Sequence, residues 1–123
     1  MIQTQGLTHI HLAVRDLPRS VAFYHDVFGM EVQTERSDAT IAFMRTPGFV
    51  DTLTLRLASP DEPVGQKGGG IDHFGFRLKD RKDLDAAVDA VVAAGGQLVD
   101  RGEHVPGVGF AYVEDMDGYV IEL

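Results

Sequence analysis

A chain of 123 residues with 44% hydrophobic and 24% charged residues carries enough apolar side chains for one compact domain or two small, intimately joined modules. Its formal charge of −8, with the eleven Lys and Arg scattered along the chain, works against nucleic acid as a partner. The absence of cysteine excludes disulfides, thiolate metal ligands and a thiol nucleophile. No apolar run approaches the ~18 residues that cross a bilayer, and residues 1–5 lack a charged start with an apolar stretch behind it, so the expectation is a cytoplasmic protein with no membrane partner.

Residues 8–14 alternate, sending Ile10, Leu12 and Val14 to one face and His9, His11 and Ala13 to the other, the period of a strand with one side on a core. Asp16 followed by Pro18 marks a helix start, because aspartate accepts a free N–H of the first turn and proline has none to lose there. Leu17, Val21, Tyr24 and Phe28 recur at helical spacing, and Gly29 suits the left-handed residue that ends a helix. Strands are expected at 31–35, 40–45 and 52–58, with turns at Ser37-Asp38 and Pro47-Gly48. Segment 59–70 has two prolines, four glycines and no apolar period, and reads as a linker.

Beyond the linker the pattern starts again. Phe74, Phe76 and Leu78 alternate with His73, Gly75 and Arg77, and Asp80 or a neighbour caps a helix whose Leu84, Ala87, Val88 and Val91 form a stripe closed by Gly95-Gly96. Strands at 97–101, 109–114 and 119–123 follow, the last two joined by a turn at Asp115-Met116-Asp117-Gly118. His104 falls in the Gly-Pro loop before the second of these strands, a candidate lid position, and His25 lies on the solvated side of the first helix.

His9 and His73 are 64 residues apart, as are Asp16 and Asp80, so the chain is two βαβββ units, about 7–58 and 71–123. Neither is large enough to close a core alone, and the two must pack together. A pseudo-twofold arrangement brings His9 and His73 toward one point, and two neutral imidazoles that converge call for a divalent cation. In 119–123, Ile121 and Leu123 take the core side, which leaves Glu122 on the histidine side as a third donor. The same residues also fit half-buried strand histidines and a solvated carboxylate.

Taken together, His9 with Leu12-Ala13-Val14-Arg15-Asp16-Leu17, Ser20 with Phe23-Tyr24 and Phe28-Gly29, then His73, Glu114-Asp115-Met116-Asp117-Gly118-Tyr119 and Glu122 resemble the vicinal oxygen chelate superfamily. That group includes glyoxalase I, extradiol dioxygenases, fosfomycin-resistance thiol transferases and bleomycin-resistance proteins. The resemblance spans nearly the whole chain. It implies an α+β fold, a single domain over 1–123 in which two βαβββ modules form curved mixed sheets around a metal-binding cavity. It further implies one divalent metal per site held by His9, His73 and Glu122, a small-molecule substrate, and a homodimer; in several members of the group the modules pair across such a dimer, so that each site draws ligands from two chains.

Glyoxalase I adds a second carboxylate in the last strand of its first module. Gly29 and Gly95 are 66 residues apart, and that offset carried back from Glu122 reaches Arg56, on the cavity side with Thr54; the histidine offset reaches Ala58 on the same face. Neither residue binds a cation, so three ligands remain, and Arg56 favours an anionic substrate. Two histidines and one carboxylate suit Fe2+ first, with Mn2+, Ni2+ or Zn2+ as alternatives. Dioxygenase-like chemistry is therefore favoured over a glyoxalase-type lyase. Glu122, Tyr112 and His11 are the candidate catalytic residues, and Arg56, Phe110 and Tyr112 the candidate substrate contacts. The competing reading is a metal-free groove that sequesters a ligand, as in bleomycin-resistance proteins.

Overall fold

The computed structural model describes residues 1, 3, 5–65 and 71–123; the part of the expected linker at 66–70 lies outside the described residues. The first module runs β1 (Ile10–Val14), α1 (Leu17–Phe28), β2 (Glu31–Val32), β3 (Ile41–Arg45) and β4 (Leu53–Leu57). The second runs β5 (Phe74–Gly75), α2 (Leu84–Ala93), β6 (Gln97–Val105), β7 (Val108–Glu114) and β8 (Val120–Glu122). Each makes a four-stranded mixed sheet with one strand order, β1-β4-β3-β2 and β5-β8-β7-β6, in which the first strand pairs parallel with the last. The α+β repeat read from the sequence is the observed architecture, and neither sheet closes into a barrel. Among the described residues no helix is long and apolar enough to cross a membrane.

The local signals act as chemistry requires. Asp16 Oδ1 accepts the Arg19 N–H at 3.0 Å, and Gly29, at φ 65°, donates its N–H to His25 O at 2.9 Å. Asp80 caps a 3-10 turn, Arg81–Asp83, which leads into α2. Three strands differ from expectation. β2 stops at Val32 because Gln33, Thr34, Glu35 and Arg36 have no apolar face and Ser37 Oγ takes the Gln33 carbonyl at 2.8 Å, turning the chain into a 3-10 helix, Thr34–Arg36. β5 is only two residues long, although the Phe76 N–H still donates to Glu122 O at 2.9 Å while its ring stacks on Phe28, the centroids 4.1 Å apart. β6 continues to Val105, since Pro106-Gly107 makes a tight turn that keeps it paired with β7.

One core joins the modules. Leu12, Val14, Met44 and Leu55 from the first sheet, Phe23 and Tyr24 from α1, Val88 and Val91 from α2, and Ala111, Val113 and Ile121 from the second sheet are all buried in a single cluster. Side chains such as Leu12, Phe23, Leu55 and Ile121 contribute about 1.5–3 kcal/mol each by leaving water. Polar ties cross the same boundary: Ser20 Oγ donates to Asp117 Oδ2 at 3.2 Å, the Arg15 N–H to Asp117 Oδ1 at 3.0 Å, and the Tyr119 hydroxyl to Ala13 O at 2.8 Å. The helix-covered faces of both sheets are thus committed to the core. The other two faces carry the candidate site residues.

Candidate metal centre

Register and alternation build the second sheet's half of the site. Gly75 pairs with Glu122 and Glu122 with Tyr112, so these positions share a face, and His73, two residues before Gly75, joins them. His73 Nε2 lies 3.1 Å from Glu122 Oε2, the two side chains 32% and 26% exposed. His104 Nε2 meets the other oxygen, Glu122 Oε1, at 2.7 Å. The Tyr112 ring stands edge-on to His73 at 5.0 Å, and His104 stacks on Phe110 at 4.5 Å. Burial first, and then the charges of Glu122, Asp72 and Asp100, raise the Tyr112 pKa, so its hydroxyl stays a donor.

The donor chemistry of this cluster fits a divalent cation. Asp72 Oδ2 holds His73 Nδ1 at 2.7 Å. A carboxylate only accepts, so Nδ1 carries a proton, and with His73 in its neutral form the Nε2 lone pair faces Glu122. Two acceptors 3.1 Å apart need a positive centre between them, a proton or a metal ion. Ligand atoms at ~2.1 Å from one ion in octahedral geometry sit ~3 Å from each other, which this spacing allows.

The first sheet holds the rest. His9 Nδ1 and Thr8 Oγ1 are 2.8 Å apart, so the preceding residue engages Nδ1 here as it does at His73, and among the described residues His9 Nε2 has no partner. His11 pairs with Thr54, and Ala13 with Arg56, across β1 and β4, while Phe43 flanks Thr54 from β3. Partial burial first, then the Arg56 charge and His9, lower the His11 pKa and favour its neutral form. Arg56 is engaged by Glu62, with Nη1 donating to Oε2 at 2.9 Å and Nη2 to Oε1.

Thr54 is the residue that offsets along the sequence misplace. In the second module Glu122 pairs with the residue two beyond His73; in the first, the residue two beyond His9 is His11, which pairs with Thr54. The counterpart of Glu122 is therefore Thr54, 68 residues earlier, and not Arg56. Loop lengths between helix and last strand differ between the copies, so the glycine spacing does not carry to the strand. Thr54 Oγ1 is fully buried without a hydrogen-bond partner among the described residues.

Within one chain the structure brings His73, Glu122, Tyr112 and Phe110 together and gathers His9, His11 and Arg56 on the other sheet. Among the described residues no group of three or more His, Asp or Glu side chains is placed to hold a metal ion. A crevice of about 530 Å³ opens between the start of β1 and β5, lined by His9 and by Phe28, Phe49, Phe74 and Phe76 among others; His73 and Glu122 lie outside it. His104 belongs to the cluster although the sequence places it in a loop: β6 is exposed throughout, so no apolar alternation announces that the strand continues past Arg101.

The sequence profile described as the Glyoxalase/Bleomycin resistance protein/Dioxygenase superfamily matches residues 6–123. A putative lactoylglutathione lyase of Brassica oleracea var. gemmifera is 34% identical over 94% of this chain, which spans only 42% of that relative's length. A probable lactoylglutathione lyase of Vibrio parahaemolyticus is 32% identical over 95% of this chain and 88% of its own. Among solved structures, the fosfomycin resistance protein FosX of Listeria monocytogenes, complexed with Mn(II) and sulfate, superposes with a TM-score of 0.75 at 23% identity, over 98% of this chain and 90% of that one. With a match that runs through both βαβββ repeats, the chain belongs to the glyoxalase/bleomycin resistance protein/dioxygenase superfamily.

Proposed function

We propose that the protein is a divalent-metal-dependent enzyme that takes a small substrate through two neighbouring oxygens, with His9, His73 and Glu122 as protein ligands and Fe2+ as the favoured ion. The observation that carries this reading is the His73 Nε2 to Glu122 Oε2 approach of 3.1 Å, with Asp72 fixing the opposite ring nitrogen. His9 sits on the other sheet, and both ligand-bearing faces point away from the shared core. A homodimer that sets the His9 face of one protomer against the His73–Glu122 face of its partner completes the ligand set.

A cation held there supplies Lewis acidity toward both substrate oxygens. The chain's own residues then divide the work. Tyr112 keeps its proton and donates a hydrogen bond to the substrate, and Phe110 beside it forms an apolar wall. His11, biased toward its neutral form, accepts a proton from the first-sheet side. Arg56 keeps positive charge on the same face while paired with Glu62. Thr54, where glyoxalase I places its second carboxylate, is no base, which favours dioxygenase-like chemistry; the lyases among the relatives favour isomerisation of a thiol adduct as the second reading.

Elemental analysis of tag-free protein, with His9→Ala and Glu122→Ala beside it, tests the reading. After loading with Fe(II), Mn(II), Ni(II) or Zn(II), wild type retains about one ion per chain and each variant loses most of it. Equal, negligible retention by all three overturns the enzyme reading in favour of a metal-free binding protein. Oxygen uptake with catechols against isomerisation of a glutathione hemithioacetal then separates the two chemistries.

A further inference from the structure

Of the residues around Glu122, His104 has no counterpart role in the ligand set, and its placement is specific. The β6–β7 ladder shifts register between Glu103 and Val105, leaving His104 as the extra, unpaired residue of a bulge. A bulge re-aims one side chain, and such irregularities concentrate beside functional sites. Here the re-aimed imidazole reaches across the sheet to Glu122 Oε1 at 2.7 Å, while Glu122 Oε2 faces His73. Its ring lies 4.5 Å from that of Phe110 at an interplanar angle of 25°. Phe110 has room for this because Gly102 faces it: a Cβ there would stand 3.1 Å from two of its ring carbons.

We infer that His104 is a positioning residue for Glu122, holding Oε1 by a hydrogen bond so that only Oε2 is offered to a cation shared with His73. The inference rests on the metal-dependent reading above. A carboxylate with one oxygen pinned binds through the other alone and keeps coordination positions free for two substrate oxygens; an unpinned one swings or chelates with both. Outer partners of this kind carry 10- to 100-fold in metal affinity. His104 does this from an exposed edge strand, its side chain 53% exposed, so its replacement leaves the core untouched.

The test is a Mn(II) titration of the full chain, followed by the EPR signal of the free ion, for wild type, His104→Phe and His104→Gln. Phe keeps the stack on Phe110 without a donor; Gln restores an N–H at nearly the same reach. The expected result is an affinity about 10- to 100-fold weaker in His104→Phe, most of it recovered in His104→Gln, with metal-free unfolding midpoints unchanged and the same number of histidine nitrogens coupled to the ion in pulsed EPR. Wild-type affinity in His104→Phe overturns the inference alone. One coupled nitrogen fewer in that variant also overturns it, since His104 is then itself a ligand. Failure of wild type to bind Mn(II), Fe(II), Ni(II) or Zn(II) overturns the functional reading and the inference with it.

Discussion

The Tyr24 hydroxyl, on α1, donates a 2.8 Å hydrogen bond to Asp115 Oδ2 at the turn between β7 and β8, joining the two repeats across 91 positions of sequence. Asp115 Oδ1 meanwhile accepts the N–H groups of Asp117 at 2.9 Å and Tyr119 at 3.0 Å, so one buried carboxylate shapes the turn that leads into the Glu122 strand and anchors it to the first module.

Tyr24→Phe removes the only side-chain donor seen on Oδ2 among the described residues. Stability should fall by about 1–3 kcal/mol, the cost of leaving a buried acceptor unpaired. Urea unfolding of the metal-free chain checks this, and a change within error argues that water replaces the hydroxyl.

Asp115 itself gives a pH signature. Burial raises its pKa despite the three hydrogen bonds it accepts. A carboxyl raised in the fold binds its proton more tightly there than in the unfolded chain. Its contribution is therefore fully present below the ordinary carboxylate pKa and is lost as pH rises through the folded value. Asp115→Asn cannot ionise, so the stability of wild type relative to this variant should decline as pH rises from the ordinary carboxylate pKa through the raised folded value. A difference flat in pH would rule out a raised pKa.

Glu62 behaves in the opposite sense. The Arg56 hydrogen bonds, with help from the Ser59 N–H, hold its pKa down to about 2, against an ordinary 4.5. Its stabilisation is present above pH 4.5 and is lost as pH falls toward 2. Glu62→Gln should be less stable than wild type at neutral pH, with the gap closing across that acid range. Arg15 fastens the same segment, donating to Ser59 O at 2.9 Å, to Pro60 O at 3.2 Å and to Glu62 O.

Thr54 buries a hydroxyl without a partner among the described residues. Thr54→Val keeps the shape and the branching that a strand favours while removing the unpaired polar atom, so the variant should be more stable, by up to about 1–3 kcal/mol. Denaturant midpoints measure it. A less stable variant would mean that the hydroxyl finds a partner in solution.

A site built from His9 of one protomer and His73 and Glu122 of the other predicts complementation. His9→Ala and Glu122→Ala, each without bound metal, should on subunit exchange yield mixed dimers with one intact site, about a quarter of all sites in an equal mixture. Recovery of no metal binding places all three ligands in one chain.

The sequence alone determined what is local or periodic. Alternation assigned His9 and His11 to one face of β1 and His73 to the matching face of β5; Asp16 and Gly29 bounded α1 by capping chemistry; the 64-residue repeat made two βαβββ units, and Glu122 fell on the histidine side of β8. Only the tertiary structure decided which residues oppose one another. Strand register set Thr54, not Arg56, opposite His11, and a bulge in an exposed strand turned His104 from a loop residue into a partner of Glu122. Register and bulges are fixed by hydrogen bonds between strands distant in sequence and by the loop lengths between them, and periodicity is silent about both. The outward turn of the two faces that carry the candidate site residues is likewise a property of the packed core, since it follows from which two faces bury their aliphatic side chains together.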